Sequence, residues 1–282
     1  MTISLAAAGT SALVDPAAGG RLASLVVAGR ERLITEPQAD ATLPSITWGS
    51  FLMAPWVGRL ANGRLDWRGR SAELPRNLDG HAIHGAVFDR PWEVDGQDAG
   101  SVQLSSSIAA DRWPFRGRIR QEISLGERSI RFMAEIEAEE AMPAAIGWHP
   151  WFVRGPDDLA LTVEADRRLE LGPGLIPTGP SRQVAGADDL RAGPLLGERR
   201  LDDVYVDVAS PARVRWPDLD LRLEFGPPLI SVVVFSPPGS ACLEPASAWP
   251  DAVRLARAGV TGTGLVELDA GTSLVASMTW RW

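Results

Sequence analysis

An all-β fold, either a sandwich or a barrel, is what this sequence of 282 residues predicts. Three observations carry that expectation. Apolar and polar residues alternate with period two in run after run, which buries one set of side chains and leaves the other in solvent. The chain spreads 28 Gly and 22 Pro along its length, so turns recur at short intervals. No amphipathic stripe of helical period lasts more than a turn or two.

The elements follow in order. Ser24 to Ala28 reads as a strand closed by a Gly29-Arg30 turn. Val102 to Ile108 alternates in part, and Arg118 to Leu125 runs into a Gly126-Glu127 turn. Ser129 to Ala138 alternates throughout. Leu219 to Phe225, Ile230 to Phe235 and Ser273 to Trp282 complete the strand set. Asp251 to Ala258 is the best helix. Pro173 to Arg200, dense in Gly, Pro and Asp, reads as a long irregular loop of the kind that walls a site on a rigid scaffold. With no fixed-period repeat and no linker, residues 1–282 read as one domain.

Composition removes several function classes. A hydrophobic fraction of 45% and a charged fraction of 23% are ordinary for a globular protein. The net charge of −8 argues against a nucleic-acid partner, which needs clustered positive charge. All 28 basic residues are Arg, so Schiff-base and P-loop lysine chemistry is excluded. A single cysteine, Cys242, rules out an intrachain disulfide framework. The start Met1 to Ala8 lacks a basic region and a long apolar core, and no uncharged run approaches the ~20 residues of a membrane span. A cytoplasmic protein with no membrane partner is the expectation.

Histidine is scarce: His81, His84 and His149 are the whole supply. Imidazole titrates nearest neutrality and is the first candidate for proton transfer. His149 lies in Gly147-Trp148-His149-Pro150-Trp151-Phe152, where proline should end or bulge a strand at a sheet rim. Its flanking rings suit the C–H faces of a sugar; a buried histidine wedged among tryptophans is an equal reading of that window alone. Glu244 precedes Pro245 after an apolar Cys242-Leu243 pair, which suggests a partly buried carboxylate at a strand end. Arg59 and Asp202 are possible hydroxyl partners, although each alone reads more simply as a loop or turn residue. A zinc site of His81, His84, His149 and Glu244 is disfavoured, because three-residue spacing on a strand sends His81 and His84 to opposite faces. Gly259 to Gly264 reads as a turn rather than a nucleotide loop, and Cys242 as core.

Together these windows resemble the aldose 1-epimerase (galactose mutarotase) family. His84-Gly85 is similar to its Leu-His-Gly-Gly segment, and Gly147 to Phe152 to its Gly-[Trp/Phe]-His-Pro-[Tyr/Trp]-Phe segment. Gly58-Arg59-Leu60-Ala61-Asn62-Gly63-Arg64 resembles Asn-Arg-Ile-x-x-Gly-Arg, and Leu201-Asp202-Asp203-Val204-Tyr205 resembles Asp-His-x-Phe. Glu244-Pro245 followed by Pro250-Asp251-Ala252 resembles Glu-Pro…Pro-Asp-Ala. Gly19 to Leu25 and Trp113-Pro114-Phe115 extend the ordered set over almost the whole chain. Ala86 and Gly58 depart from the family's second Gly and its Asn, which puts the sugar preference in doubt more than the reaction.

The resemblance implies a large antiparallel β-sandwich. It implies that His149 is the general acid and Glu244 the general base of mutarotation, with Glu244 starting ionised and His149 protonated. Placed on opposite sides of the anomeric centre, the two should face each other about one pyranose ring apart. His84, Arg59 and Asp202 match sugar-binding positions; His81 matches none. No cofactor and no metal are required, the partner is a small-molecule sugar, and the chain is a monomer or homodimer. A hexose-6-phosphate 1-epimerase and a non-catalytic carbohydrate-binding module are the alternatives.

Overall fold

In the computed structural model, residues 1–155 and 158–282 are described. Among them, twelve strands form one sheet and eight another, and every strand pair within these two sheets is antiparallel. The eight-stranded sheet is centred on Gly117–Gly126, Ser129–Ala138 and Ser273–Arg281. Its alternation is clean: Ile119, Ile123, Phe132, Ala134, Ile136, Ala276 and Met278 are buried, while charged residues such as Arg120, Arg131 and Arg281 face out. Period two in the sequence thus becomes one apolar face packed on the other sheet.

The twelve-stranded sheet carries the site. Its central run is Arg21–Val27, Ser50–Met53, Gly147–Pro150, Ser240–Ala246, Ser231–Phe235 and Asp202–Val206, in that spatial order. Trp148, Leu52, Leu243, Val232 and Val234 point into the main core between the sheets. The opposite face holds a smaller cluster with Phe51, Met53, Trp151, Cys242 and Ala246. These central strands are therefore apolar on both faces, which is why Ser50–Met53, Gly147–Pro150 and Ser240–Ala246 are buried at every position.

Most expected elements agree with the structure to within a few residues at their ends, and the helix is Ala252–Arg257. Two expectations need correction. Pro173 to Arg200 is not all loop: Pro177–Gln183 is a strand at the end of the large sheet, paired with Arg167–Leu171. Pro177 and Pro180 hid it, yet proline is tolerated on an edge strand where no neighbour needs its amide. Glu244 is not at a strand end but inside Ser240–Ala246, near the middle of the sheet.

Candidate functional site

His149 and Glu244 meet because their strands are neighbours. The ladder between the strands pairs Gly147 with Ala246, and it resumes with Phe152 opposite Ala241 and Val153 opposite Ser240 in the same register. That register puts His149 opposite Glu244, and directly opposed residues share a face. Pro150 and Pro245 lie in the interrupted stretch and supply no amide donors to it. The opened ladder still holds the two side chains side by side, with His149 Nε2 and Glu244 Oε1 3.3 Å apart. The expected ring-wide separation is thus overturned: the groups are in contact, because they stand on adjacent strands and not on opposite walls.

Neighbouring strands extend the same face. Val233 pairs with Glu244, Val204 with Val233, and Asp202 with Phe235. Trp151 shares the face of His149 and stacks on it at 5.3 Å between ring centroids and 7° between planes. Phe51, opposite His149 in the next strand, stacks on it at 4.8 Å. Trp148 belongs elsewhere: it is buried in the main core, where its Nε1–H donates to Gln121 Oε1. Of the two tryptophans beside His149, only Trp151 lines the cavity.

Two short segments close over this floor. Arg59–Leu60 pairs with Ala82–Ile83, and the His84 amide donates to the Gly58 carbonyl at 2.9 Å. His84 then takes a left-handed backbone, with φ of 67°, and Gly85 follows at φ 89°. A Cβ on Gly85 would lie 2.3 Å from the Ala54 carbonyl oxygen, so only glycine lets this turn seat against the sheet. The turn delivers the His84 ring edge-on to His149, with centroids 4.8 Å apart. Arg59 is only 14% exposed, and its guanidinium lies 3.5 Å from Asp79.

All five expected site residues, Arg59, His84, His149, Asp202 and Glu244, line one cavity of about 360 Å³. Asp79 and a wall from Leu43, Ile46, Leu171, Leu175 and Phe235 were not foreseen. They come from a connecting loop, strand ends and turns whose sequences carry no signal beyond apolar residues among polar ones. His81 is not part of the lining. Its Nδ1 accepts from the Asn62 amide at 3.0 Å, so it braces the turn after Arg59. The strand between His81 and His84 is only Ala82–Ile83, so the opposite-face argument used against a shared zinc site does not describe this hairpin.

Burial sets the electrostatics. It pushes the Glu244 carboxyl well above the usual carboxylate range; Asp202 adds to this and Arg59 opposes it. It lowers His149 to about 3, with the buried Arg21 guanidinium acting in the same direction. His84 is also held well below the usual imidazole range, by burial and by its neighbours His149 and Arg59. Asp202 is raised to about 6, mainly by burial. Burial thus favours the neutral form of each group, protonated at Glu244 and uncharged at His149, whereas the expected roles start from the charged pair.

The sequence matches the profile of the family described as Aldose 1-epimerase over residues 1–280, and the chain belongs to that family. It is 23% identical over 244 residues to the uncharacterized protein YphB of Escherichia coli, covering 82% of each chain. It is 30% identical over 156 residues to the uncharacterized protein YihR of Escherichia coli, a match spanning 53% of this chain and 49% of that one. Human galactose mutarotase is 27% identical over 164 residues, 54% of this chain and 47% of its own. The last two matches therefore span about half the length of those relatives. A galactose mutarotase-like protein from Clostridium acetobutylicum shares the fold with a TM-score of 0.86 at 16% identity, covering 99% of this chain and 94% of its own. Galactose 1-epimerase from Lactobacillus acidophilus superposes with a TM-score of 0.81 at 16% identity, with 99% and 93% covered.

Proposed function

We propose that this chain interconverts the α and β anomers of a free aldose by opening and reclosing the sugar ring between Glu244 and His149. Glu244 accepts the proton of the anomeric O1 hydroxyl, and His149 protonates the ring oxygen. The ring opens to the aldehyde, the C1–C2 bond rotates, and reclosure on the other carbonyl face reverses both transfers. Each well-placed transfer contributes roughly 10²–10⁴-fold.

The observation that carries this reading is the 3.3 Å contact between the two groups on the cavity floor. O1 and the ring oxygen are both bonded to C1, only two bonds apart. An acid and a base serving them need to be close together, as here, with the anomeric carbon over the pair. The neutral pair and the ion pair of Glu244 and His149 contain the same number of protons. Passing one proton across the contact converts the first into the form needed for ring opening. Arg59, which favours the Glu244 carboxylate, and the bound hydroxyls stabilise that form. Arg59, His84 and Asp202 hold sugar hydroxyls.

The cavity lining speaks against a phosphorylated substrate. Arg59 stands there against Asp79, Asp202 and Glu244, whereas a phosphate group calls for a cluster of arginines. The test is polarimetry of freshly dissolved α-anomers across free aldoses and their 6-phosphates. Acceleration for at least one free sugar, and weaker or no acceleration for its phosphate, is the expected result. Sugar binding without acceleration for any aldose would leave a carbohydrate-binding module instead.

A further inference from the structure

Cys242 lies two residues before Glu244 on the same strand, so its thiol shares the face that carries the proton-transfer pair. The thiol is fully buried and has no duty in ring opening. One donor atom each from His149, Cys242 and Glu244 fall within 4.8 Å of one another, and His149 Nε2 and Glu244 Oε1 stand 3.3 Å apart.

We propose that His149, Cys242 and Glu244 form a binding site for a divalent cation of the zinc class, and that the bound cation switches the catalytic pair off. The inhibition rests on the proton-transfer reading of His149 and Glu244; the binding does not.

The donor set is imidazole nitrogen, thiolate sulfur and carboxylate oxygen, the three that zinc takes, at about 2.0–2.3 Å. Tetrahedral bonds of those lengths separate the donor atoms by about 3.3–3.6 Å. His149 and Glu244 already stand at that spacing, and the thiol reaches it by an adjustment of about 1 Å. All three side chains stand on two central strands, so the site is rigid and the donors carry little water to shed. His149 and Glu244 line the cavity, which supplies the entry path and leaves the fourth position to a water or a sugar hydroxyl. On binding, the thiol proton, and the carboxyl proton where Glu244 carries one, pass to solvent. The thiolate selects zinc, cadmium or cobalt over magnesium and calcium.

The experiment uses the full chain freed of metal by chelator and then titrated with zinc chloride in a calorimeter, and with cobalt chloride in a spectrophotometer. The expected results are one zinc per chain, a thiolate-to-cobalt charge-transfer band, and epimerase activity lost with zinc, restored by EDTA and indifferent to magnesium. Cys242→Ser should keep basal turnover and lose the cobalt band. Outer partners of metal sites are worth about 10–100-fold in affinity, so loss of a direct ligand should raise the half-inhibiting zinc concentration at least about tenfold. Cys242→Ala serves if the serine variant melts early. Absence of stoichiometric zinc binding, or a Cys242 variant as zinc-sensitive as the parent with an unchanged cobalt spectrum, would overturn the proposal. If the parent accelerates no sugar, the catalytic reading falls, while calorimetry and the cobalt spectrum still decide the metal site.

Discussion

His149 and Glu244 stand opposite each other on adjacent central strands, with Nε2 and Oε1 3.3 Å apart on the floor of the cavity. The relation follows from strand register, so it is fixed by the sheet and not by a loop. Under the proposed mechanism, two groups at this spacing would reach the two oxygens of one anomeric carbon without any closure of the site.

Glu244→Gln is nearly isosteric and keeps a hydrogen-bonding head, but it cannot carry the O1 proton. Turnover should fall about 10²–10⁴-fold while sugar affinity changes little. His149→Asn should fall comparably. The double variant should be scarcely worse than either single one, since ring opening needs both transfers. Polarimetric kcat with calorimetric sugar binding checks this; near-parent turnover in Glu244→Gln would remove Glu244 from the chemistry.

Arg59 is held over the cavity by the pairing of Arg59–Leu60 with Ala82–Ile83, near Asp79 and mostly buried. Its proposed work is to hold hydroxyls, with a smaller part in favouring the Glu244 carboxylate. Arg59→Met should therefore raise KM by more than it lowers kcat, with a loss of about 1.5–3 kcal/mol in kcat/KM, the range for a hydrogen bond to a charged group. An unchanged KM would refute the assignment.

The strands were legible because alternation is local. Ser129–Ala138 and Leu219–Phe225 are read from their own residues, and both face one core. The positions of His149 and Glu244 could be named from short windows, but their contact could not. It depends on the pairing of segments about a hundred residues apart, in a stretch where Pro150 and Pro245 obscure the strand pattern. The left-handed turn at His84 was equally hidden, since the three-residue spacing from His81 looks like strand until φ is known. The apolar wall at Leu43 and Ile46 belongs to a loop, where composition says little about which side chains turn inward.

Asp202 links the cavity to stability. Its carboxyl is raised from 3.8 to about 6, mainly by burial. The raised value means that the folded state prefers the protonated form. Below about pH 4 Asp202 is protonated in both states and costs nothing. As pH rises from there to about 6, the unfolded chain ionises first and the fold loses up to about 3 kcal/mol, a cost that persists at higher pH. Asp202→Asn should therefore be more stable than the parent above pH 6, with the difference shrinking towards pH 4. Urea melts at several pH values measure this. The same variant should bind sugar less tightly, as expected of a functional group kept at a cost in stability. A stability difference that does not change with pH would show that ionisation of Asp202 is not its source.

Arg21 supports the site from behind. Its guanidinium is buried and, among the described residues, has no carboxylate within ion-pair distance. It donates instead to the carbonyls of Ala18, Ser45, Trp48 and Phe88, at 2.7–3.0 Å. Its charge lies 4.2 Å from the Trp48 ring and 5.1 Å from the Phe51 ring, and Phe51 is the ring stacked on His149. Burial lowers the group to about 10, so it stays charged at neutral pH. One side chain thus joins the start of a central strand, the loop bearing Ile46 and Thr47 of the cavity wall, and the turn beyond His84. Arg21→Met would fill much of the space but leave four inward carbonyls without their donor. The expected loss is about 3–5 kcal/mol, at the severe end for one substitution. Arg21→Lys keeps the charge but cannot reproduce the planar fork, so it should recover only part of the loss. Denaturant melts should show a lower midpoint with an unchanged slope, the sign of lost stability without a change in cooperativity. At temperatures where Arg21→Met remains folded, KM should rise, because the wall at Ile46 and Thr47 has lost its anchor. A loss under about 1 kcal/mol would mean that the carbonyls find other donors and that Arg21 does not hold the loop.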